Sequence, residues 1–584
     1  MQTCVITLTK ASEKYGNLNI RPCGKDFFPE DAFGSHSRKT GQGVPITLKV
    51  EGLPELIKTD IPTDKTGRPR WLLRERAWVK AFLKARRLKA GDTVVVSRNT
   101  GRTYSIVGNG HGIGDKGSIR TSVRLEDYGL PRVANDKAVE HTKATWLQKS
   151  FLPPSSAANT AEYGTFKDSL NAPVHRWFKY PAGYSYRLVE QKIRQYSLSK
   201  RHWILDPFVG SGTTSIEAKR HNINSVGIEA HPFVHWVANT KLDWTASVTD
   251  IAENYKKVIE YAQLLFSRKK VEAASLPDLV RKCYSPSNLL TLVAIKNAIR
   301  KECTSPVVRD FMNLALTDTL RNASKAATGW PYIAPAKMHQ KVAEKPAFNE
   351  FGLQVRRMLD DLQFMQSHYS NDGAATHLIL GDARVFHPAI RPQSIDLAVT
   401  SPPYLNNYDY ADRTRLETYF FEWFTTWAEI SENVRDKLIV SATTQIRRNS
   451  FGLNGGLSSE LRTADQSFFN ELVGKVSILA ERRKQKGGKK SYDCMVAGYF
   501  NDMCKVFKQV CRCLTPGCDF VLVLGDSAPY GVYIPTHEYL ARLGLAIGFS
   551  SYTVEQLRTR GDKWRANPQR HKVRLNEVIL TLTK

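Results

Sequence analysis

The sequence predicts an α/β protein: a larger, carboxyl-terminal part with a mostly parallel sheet, preceded by a mostly-β domain. From about residue 163 onward, apolar strands alternate with helical patterns, which is typical of a parallel sheet covered by helices. Before about residue 145, short alternating runs are separated by Gly and Pro turns, which is typical of β structure. We therefore expect domains at 1–145 and 165–584, joined by a linker at 146–164.

Charge and hydropathy limit the class of protein. The 584 residues include 84 Lys and Arg against 56 Asp and Glu, a formal net charge of +28. Such an excess predicts a polyanionic partner, nucleic acid above all. No apolar run is long enough to span a membrane, and the first residues lack the pattern of a signal peptide, so a cytoplasmic location is expected.

The nine cysteines are scattered along the chain without the density of a disulfide scaffold, which favours a reducing compartment. Cys511, Cys513 and Cys518 form the one cluster. Zinc sites usually pair such a cluster with a second set of Cys or His, and no second pair is present. No metal site is therefore expected.

The amino-terminal domain is predicted to contain one helix over 71–84. Its strands are predicted at 5–8, 46–50, 93–96 and 104–107. A Gly-rich stretch at 108–117 is expected to be a loop. Trp71, Trp78 and Phe82 are more typical of core residues than of base-stacking ones.

The carboxyl-terminal part is predicted to contain six apolar strands. They lie at 203–205, 225–228, 378–380, 395–400, 520–524 and 578–582. Residues 245–370, between the second and third of these strands, carry helical periodicity without a convincing strand. We interpret this stretch as a helical insertion.

A glycine-rich loop, Asp206-Pro-Phe-Val-Gly-Ser-Gly-Thr-Thr214, follows the first of these strands and opens a helix. Glycines allow close approach of a ligand, and a helix N-terminus offers free N–H groups. The loop has neither the Gly-Lys-Ser/Thr ending of a phosphate loop nor the dinucleotide pattern Gly-x-Gly-x-x-Gly. Asp206 ends the strand, where open α/β sheets bind ligands, and its charge suits a cation such as an amino group.

Two further acids end strands. Glu229 follows Asp206 by 23 residues, a spacing that suits a carboxylate bridging a ribose diol, and Asp382 is placed to accept from an adenine amino group. Three strand-end acids beside such a loop fit S-adenosyl-L-methionine. The alternative for each acid alone is a helix cap.

The loop at 206–214 resembles motif I of the DNA amino-methyltransferases, and residues 175–186 resemble motif X of that family, which packs near the methionine end of the cofactor. The resemblance covers about 165–584. It implies a Rossmann-like, seven-stranded methyltransferase sheet with helices on both faces. The residues expected to bind the cofactor are Tyr180, Pro181, Asp206, Phe208, Gly210, Gly212, Thr213, Glu229 and Asp382.

The catalytic candidates are Ser401-Pro402-Pro403-Tyr404, which follow the strand at 395–400. Two prolines fix the backbone and remove N–H donors, leaving carbonyl oxygens free to accept. An exocyclic base amine is a poor nucleophile because its lone pair is delocalised into the ring. The Ser401 hydroxyl and the Pro402 carbonyl could hold the hydrogens of that amine and direct its lone pair. Tyr404 is expected to stack on a base flipped out of the duplex.

In the amino-methyltransferase family, Ser in the first position goes mostly with the N4 amine of cytosine, and Asp or Asn mostly with adenine. The resemblance therefore implies a site-specific cytosine-N4 DNA methyltransferase in bacterial restriction–modification or phage defence. Duplex DNA, and a cognate restriction endonuclease or defence-system subunits, are the partners this implies. Adenine N6 and an RNA base remain alternatives, and a catalytically inactive DNA-binding regulator is the alternative of another class.

Three segments are candidates for holding DNA. Residues 64–89 carry ten basic residues against two acids, and about 45–110 loosely resemble the pseudobarrel DNA-binding domains of plant transcription factors and some restriction endonucleases. The others are the helical insertion and a basic, Gly-containing loop at 482–490; a polar aromatic loop at 406–410 could line the base pocket. Predicted DNA contacts are Arg68, Arg70, Arg74, Arg98, Arg482, Arg483 and Lys484.

Overall fold

The computed structural model describes residues 2–35, 37, 41–51, 53, 55–86, 88–90, 92–98, 101–109, 125–133, 136–147, 160–180, 183–326, 343–369, 373–406, 408–446, 456–560 and 573–584. The chain forms two compact units, Met1–Arg124 and Leu125–Lys584. The boundary between the units precedes the predicted linker at 146–164, because helix Lys137–Leu147 packs within the second unit. Trp146, for example, makes edge-on ring contacts with His175 and Tyr186. The predicted loop at 108–117 lies outside the described residues from position 110 onward.

The first unit contains a five-stranded and a two-stranded sheet. The strands are β1 (Gln2–Thr7), β2 (Phe33–Gly34), β3 (Ile46–Val50), β4 (Ile57–Thr59), β5 (Ile61–Pro62), β6 (Thr93–Arg98) and β7 (Thr103–Asn109). The larger sheet has the order β1-β6-β7-β3-β4, in which only β3 and β7 are parallel. Its described residues form the α-helices α1 (Lys10–Tyr15) and α2 (Ala77–Ala85). The mostly-β expectation thus agrees with the elements observed, and the pseudobarrel comparison stays a prediction.

Helix α2 is shorter than the predicted 71–84. Trp71 has a positive φ of 57°, and the backbone N–H groups of Arg74 and Glu75 donate to Asp60 and Thr59 instead of to a helical turn. The segment before residue 77 is therefore held extended by neighbouring chain. Within α2, Trp78 and Phe82 are buried in the core of the unit, as expected of core aromatic residues.

A disulfide joins Cys4 on β1 to Cys23, with the two Cα atoms 5.1 Å apart. This differs from the expectation of reduced cysteines. That expectation rests on cysteine density along the chain, which does not show that the fold returns Cys23 to the side of β1. The other seven cysteines are free.

The second unit is built around one seven-stranded sheet. Its strands are β8 (Trp203–Asp206), β9 (Asn224–Glu229), β10 (Thr376–Leu380), β11 (Ile395–Thr400), β12 (Leu514–Gly525), β13 (Ser551–Arg560) and β14 (Leu575–Thr583). Their order is β10-β9-β8-β11-β12-β14-β13, with β14 antiparallel to both neighbours and the other adjacent pairs parallel. The α/β class is confirmed.

The helices of this unit lie before, between and after the strands. They are α3 (Lys137–Leu147), α4 (Tyr186–Gln195), α5 (Thr213–Arg220), α6 (Pro232–Leu242), α7 (Val248–Ser267), α8 (Asp278–Lys282), α9 (Pro286–Glu302), α10 (Pro306–Asn322), α11 (Ala347–His368), α12 (Tyr410–Arg413), α13 (Arg415–Phe420), α14 (Trp427–Asn433), α15 (Ser459–Ala464), α16 (Gln466–Gln485), α17 (Tyr492–Cys513) and α18 (Thr536–Ile547). Between β9 and β10, the described residues contain the helices α6–α11 and no strand, and the helical insertion at 245–370 stays a prediction.

Helices cover both faces of the seven-stranded sheet. Successive side chains of a strand point to opposite faces, so the partners of neighbouring residues show what covers each face. Leu397 and Val399 share a hydrophobic cluster with Leu188 of α4. Ala398, between them, belongs to the cluster that contains Phe500 of α17. The sheet therefore lies between two helical layers, with the carboxyl ends of its parallel strands along one edge. Within the described ranges, no helix has the length and apolar character needed to cross a membrane.

Candidate active site

The carboxyl ends of β8, β9, β10 and β11 border one cavity. Adjacent parallel strands end at the same edge of a sheet, which brings distant sequence segments together. Of the predicted residues, those lining the cavity are Tyr180, Phe208, Gly210, Thr213, Glu229, Asp382, Ser401 and Pro403. Asp206, Gly212, Pro402 and Tyr404 are not among the lining residues, and Pro181 lies outside the described residues.

Asp206 lies beneath the glycine-rich loop and is 1% exposed. Its carboxylate accepts from the N–H of Phe208 at 3.0 Å and from the hydroxyls of Thr214 at 2.6 Å, Thr400 at 2.6 Å and Tyr184 at 3.4 Å. Burial raises its pKa, and these donors oppose the shift. Asp206 therefore joins β8, β11 and α5, and its predicted contact with a cofactor amino group stays a prediction.

Glycines shape the loop between β8 and α5. Gly210 has a φ of 54° and Gly212 a φ of 93°, which side chains rarely adopt. A Cβ at Gly210 would lie 3.3 Å from the Tyr180 ring. Gly212 is the N-cap of α5, so the first N–H groups of that helix follow directly.

Glu229 ends β9 at the cavity wall. Its two carboxylate oxygens accept from the backbone N–H groups of Gly210 and His231, each at 2.9 Å. Burial raises the pKa of Glu229 to about 7, although these backbone donors oppose the shift. A carboxylate has about four acceptor positions, so capacity for the two hydroxyls of a ribose remains.

Asp382 follows β10 and is paired with Arg384. The guanidinium donates to the carboxylate from Nε at 2.9 Å and from a terminal nitrogen at 2.7 Å. Arg384 also contacts Asp502 at 3.0 Å. Asp382 lines the cavity with its carboxylate fixed, and acceptance from an adenine amino group stays a prediction.

Ser211 provides an independent sign that a polar ligand fits here. It is 2% exposed and lines the cavity, and its hydroxyl has no hydrogen-bond partner in the described part of the chain. Buried hydroxyls are normally paired. Together with the Gly210 cradle and Glu229, this donor set fits S-adenosylmethionine, which carries an amino acid end and a ribose.

Ser401 and Pro403 line the same cavity from the end of β11. The Ser401 hydroxyl lies 3.5 Å from the carbonyl oxygen of Val523 on β12, a long and weak hydrogen bond. Its oxygen therefore remains available as an acceptor. The tetrapeptide and the glycine-rich loop thus border one cavity.

Tyr404 lies beyond the cavity wall and is held at its hydroxyl. The hydroxyl donates to Glu577 of β14 at 3.2 Å, and Glu577 is 2% exposed. Arg558 of β13 forms an ion pair with the same carboxylate. The tyrosine ring is therefore positioned by two strands that follow it by more than a hundred residues.

Comparison with known proteins agrees with this geometry. A family model described as DNA methylase matches residues 85–239. The chain is 24% identical over 472 residues to the type II methyltransferase M.BsoBI of Geobacillus stearothermophilus, covering 74% of this chain and 90% of that protein. It is 24% identical over 406 residues to the type II methyltransferase M.AvaI of Nostoc sp. (66% and 81%) and 20% identical over 418 residues to M.MvaI of Kocuria varians (68% and 86%).

The chain is a DNA methyltransferase. The matched segment of the family model includes the glycine-rich loop and Glu229, so it covers the part of the cavity predicted to hold the cofactor.

The predicted DNA contacts in the first unit of this DNA methyltransferase differ in their surroundings. Arg68 and Arg70 are exposed, and no ion pair or hydrogen bond engages their side chains within the described residues. Arg74 is enclosed in an ion pair with Asp60, which leaves it little surface for DNA. The Arg98 guanidinium donates to the Gly101 carbonyl at 3.3 Å.

The basic segment of the methyltransferase unit is only partly a loop. Arg482, Arg483 and Lys484 lie in the last turn of α16, which corrects the predicted loop at 482–490. Arg482 donates to the Tyr530 carbonyl, Arg483 pairs with Asp493, and Lys484 pairs with Glu481. All three are engaged within the protein, and contact with DNA stays a prediction.

Several lining residues were not predicted. Tyr184 falls inside the motif X segment and could have been selected there. Tyr410 falls in the predicted aromatic loop at 406–410, of which residue 407 lies outside the described residues. Ser211 falls inside the glycine-rich loop at 206–214 and could have been selected there. Others carry no motif and reach the cavity only through the fold: His231, Lys437, Leu438 and Ile439.

Proposed function

We propose that this methyltransferase transfers the methyl group of S-adenosylmethionine to the exocyclic N4 amine of cytosine, at a specific site in duplex DNA, after the base has flipped out. A restriction–modification or phage-defence role is the proposed setting, supported by the type II relatives. The observation that carries the proposal is that Ser401 lines the same cavity as Gly210 and Glu229.

The residues that would hold the cofactor surround the loop between β8 and α5. Glu229 would accept from the ribose hydroxyls, and Ser211 would donate to a polar group at the amino acid end. Tyr180 and Phe208 would provide apolar contact. When bound, S-adenosylmethionine supplies an electrophilic methyl group.

Ser401 would orient the target amine. Its oxygen accepts a hydrogen from the amine, and the Pro402 carbonyl accepts the other. This turns the nitrogen lone pair out of conjugation with the ring and toward the methyl donor. Orientation and preorganised acceptors supply most of the rate, so no covalent intermediate on the protein is required.

The choice of cytosine rests on Ser in the first position of the tetrapeptide, while the DNA methylase family covers both N4-cytosine and N6-adenine enzymes. Purified protein should be incubated with methyl-labelled cofactor and varied duplexes, and the nucleosides analysed by mass spectrometry. The expected product is N4-methylcytosine. N6-methyladenine would contradict the base assignment, and absence of label in any duplex would contradict the function.

Sequence reading is proposed to belong mainly to the first unit. Asp64 accepts from the backbone N–H groups of Thr66 and Arg68 at 2.8 and 3.0 Å, which stabilises a tight turn. Lys65, Arg68 and Arg70 are exposed around this turn. Cations on a rigid turn can hold phosphates and base edges with little ordering cost.

A further inference from the structure

Arg560, the last residue of β13, lies over the ring of Tyr404. Its guanidinium carbon is 5.2 Å from the ring centroid, within the range of a cation–π contact. Tyr404 is the residue proposed to stack on the target base. Because Arg560 covers the Tyr404 ring, its position affects whether a base can stack on that ring.

Gly525, at the end of β12, provides the space for this arrangement. A Cβ at Gly525 would lie 2.2 Å from a terminal nitrogen of Arg560 and 3.0 Å from the Tyr404 ring. The guanidinium thus occupies the volume that any side chain at position 525 would fill. This packing places Arg560 directly beside the catalytic tetrapeptide.

Arg560 is held there without an ion pair. In the part of the chain that the structure describes, no carboxylate lies within ion-pair distance of its guanidinium. The neighbouring Arg558 differs, because it is paired with the buried Glu577. A half-buried guanidinium held mainly by an aromatic ring can be displaced at small cost, whereas Arg558 cannot leave without stranding a buried charge.

Arg560 also lies near the cavity itself. Burial raises the pKa of Tyr410, and the positive charge of Arg560 is among the groups that oppose this rise. Tyr410 lines the cavity. Arg560 is thus close to both the stacking tyrosine and a tyrosine of the cavity wall.

We propose that Arg560 is a gate residue: its guanidinium covers the Tyr404 ring in the free enzyme and is displaced when the flipped target base stacks there. A base and a guanidinium cannot share one face of a ring at contact distance. The inference rests on the proposed flipping and stacking of a target base, and adds that this step competes with a contact inside the protein.

The test measures flipping directly in the full-length protein. Sites are first mapped by sequencing DNA from cells that express the chain. A duplex with 2-aminopurine beside the target base then reports unstacking by stopped-flow fluorescence. Arg560→Ala should accelerate the fluorescence rise by about 2- to 30-fold, the factor that a cation–π contact represents. Arg560→Lys should lie between Ala and wild type, because an ammonium covers the ring less completely.

Lys508→Ala is the matched control. Lys508 is exposed on α17, so this variant removes one positive charge away from Tyr404 and should leave the flipping rate unchanged. If Arg560→Ala keeps the wild-type melting temperature and its fluorescence rises no faster than that of wild type, the gate proposal is overturned. An Arg560→Lys rate that does not lie between the wild-type and Arg560→Ala rates would also overturn it. Methyl incorporation by wild type is measured in parallel: incorporation with no Arg560 effect rejects the gate alone, whereas no flipping and no incorporation rejects both proposals.

Discussion

Two acids at neighbouring strand ends occupy different environments. Glu229 borders the cavity, and burial raises its pKa to about 7. Asp206 is sealed below the loop, where four donors hold its carboxylate. The first residue is placed to respond to a ligand, and the second to hold the loop that receives it.

Cofactor affinity should depend on the ionisation of Glu229. Because its pKa is raised to about 7, the carboxyl is protonated below that pH and accepts ribose hydroxyls less well. Affinity should therefore rise as pH increases through about 7. Calorimetric titration with S-adenosylhomocysteine between about pH 5.5 and 8.5 measures this. Glu229→Gln should weaken binding and flatten the profile, and an unchanged slope in that variant would contradict the assignment.

Ser401→Ala should abolish methyl transfer and leave cofactor binding unchanged. Loss of a preorganised acceptor for the amine is expected to lower the transfer rate by about 10²-fold or more. Label incorporation and calorimetry on the same preparation separate the two effects. Ser394→Ala, just before the start of β11, is the control and should retain full activity. Wild-type activity in Ser401→Ala would remove the catalytic assignment.

At the scale of elements, the strands that could be predicted from the sequence are those that contain a clear apolar run. The six predicted strands of the second unit correspond to β8, β9, β10, β11, β12 and β14, because each contains a short apolar run, as is typical of strands buried between helical layers. Strand β13 was missed: it is an edge strand whose first six residues are all exposed. Helix α2 was overextended because contacts with Thr59 and Asp60 override the local periodicity.

The site was predicted to the extent that it lies at strand ends. Ser401, Glu229 and the glycine loop follow recognisable strands. Lys437 and Arg560 do not, because only the tertiary fold brings them to this edge. Sequence pattern also gave no sign that the Asp206 carboxylate would be fully engaged within the protein.

Asp206→Ala should affect both the fold and the site. Its removal leaves the buried hydroxyl of Thr400 without its acceptor, and an unpaired buried group costs about 1–3 kcal/mol. The Thr214 hydroxyl loses its shorter bond and keeps the Val399 carbonyl at 3.3 Å. The free energy of unfolding should fall in denaturant titration, and cofactor affinity should fall because the loop loosens. Thr400→Val, which removes one donor only, should have a smaller effect on both. An unchanged free energy of unfolding in Asp206→Ala would contradict the proposed role of Asp206 in holding the loop.

The turn that carries Arg68 and Arg70 should contribute phosphate contacts. The double variant Arg68→Ala, Arg70→Ala should weaken DNA binding and lower the slope of log affinity against log salt by about 2. Fluorescence anisotropy across a salt series measures this. Arg86→Ala and Arg102→Ala, which disrupt ion pairs with Glu51 and Asp31, form the charge-matched control. An identical slope in both double variants would refute the turn as a DNA contact.

At the scale of the molecule, the boundary between units decides which fragments are informative. Residues 125–147 pack with the second unit, where Arg356 pairs with Glu126 at 2.8 Å and Trp146 contacts His175. A fragment that begins after this segment would expose those surfaces. The division at 124 therefore defines the better fragment.

A chain that starts at residue 125 should bind the cofactor with near-wild-type affinity but lose site preference. Calorimetry measures the first property, and sequencing of methylated DNA the second. A chain that starts near residue 160 should melt at a lower temperature, since it lacks Trp146. Unchanged methylation sites in the longer fragment would show that the first unit does not read the sequence.

The bond between Tyr404 and Glu577 joins positions 173 residues apart, and β14 inserts between β12 and β13. During synthesis, the ribosome must therefore pass residue 577 before the hydroxyl of Tyr404 can be held. A nascent polypeptide halted earlier would already contain the entire glycine loop and the tetrapeptide, yet would lack the carboxylate that fixes the tyrosine. The proposed stacking of a base on Tyr404 is thus coupled to completion of the sheet.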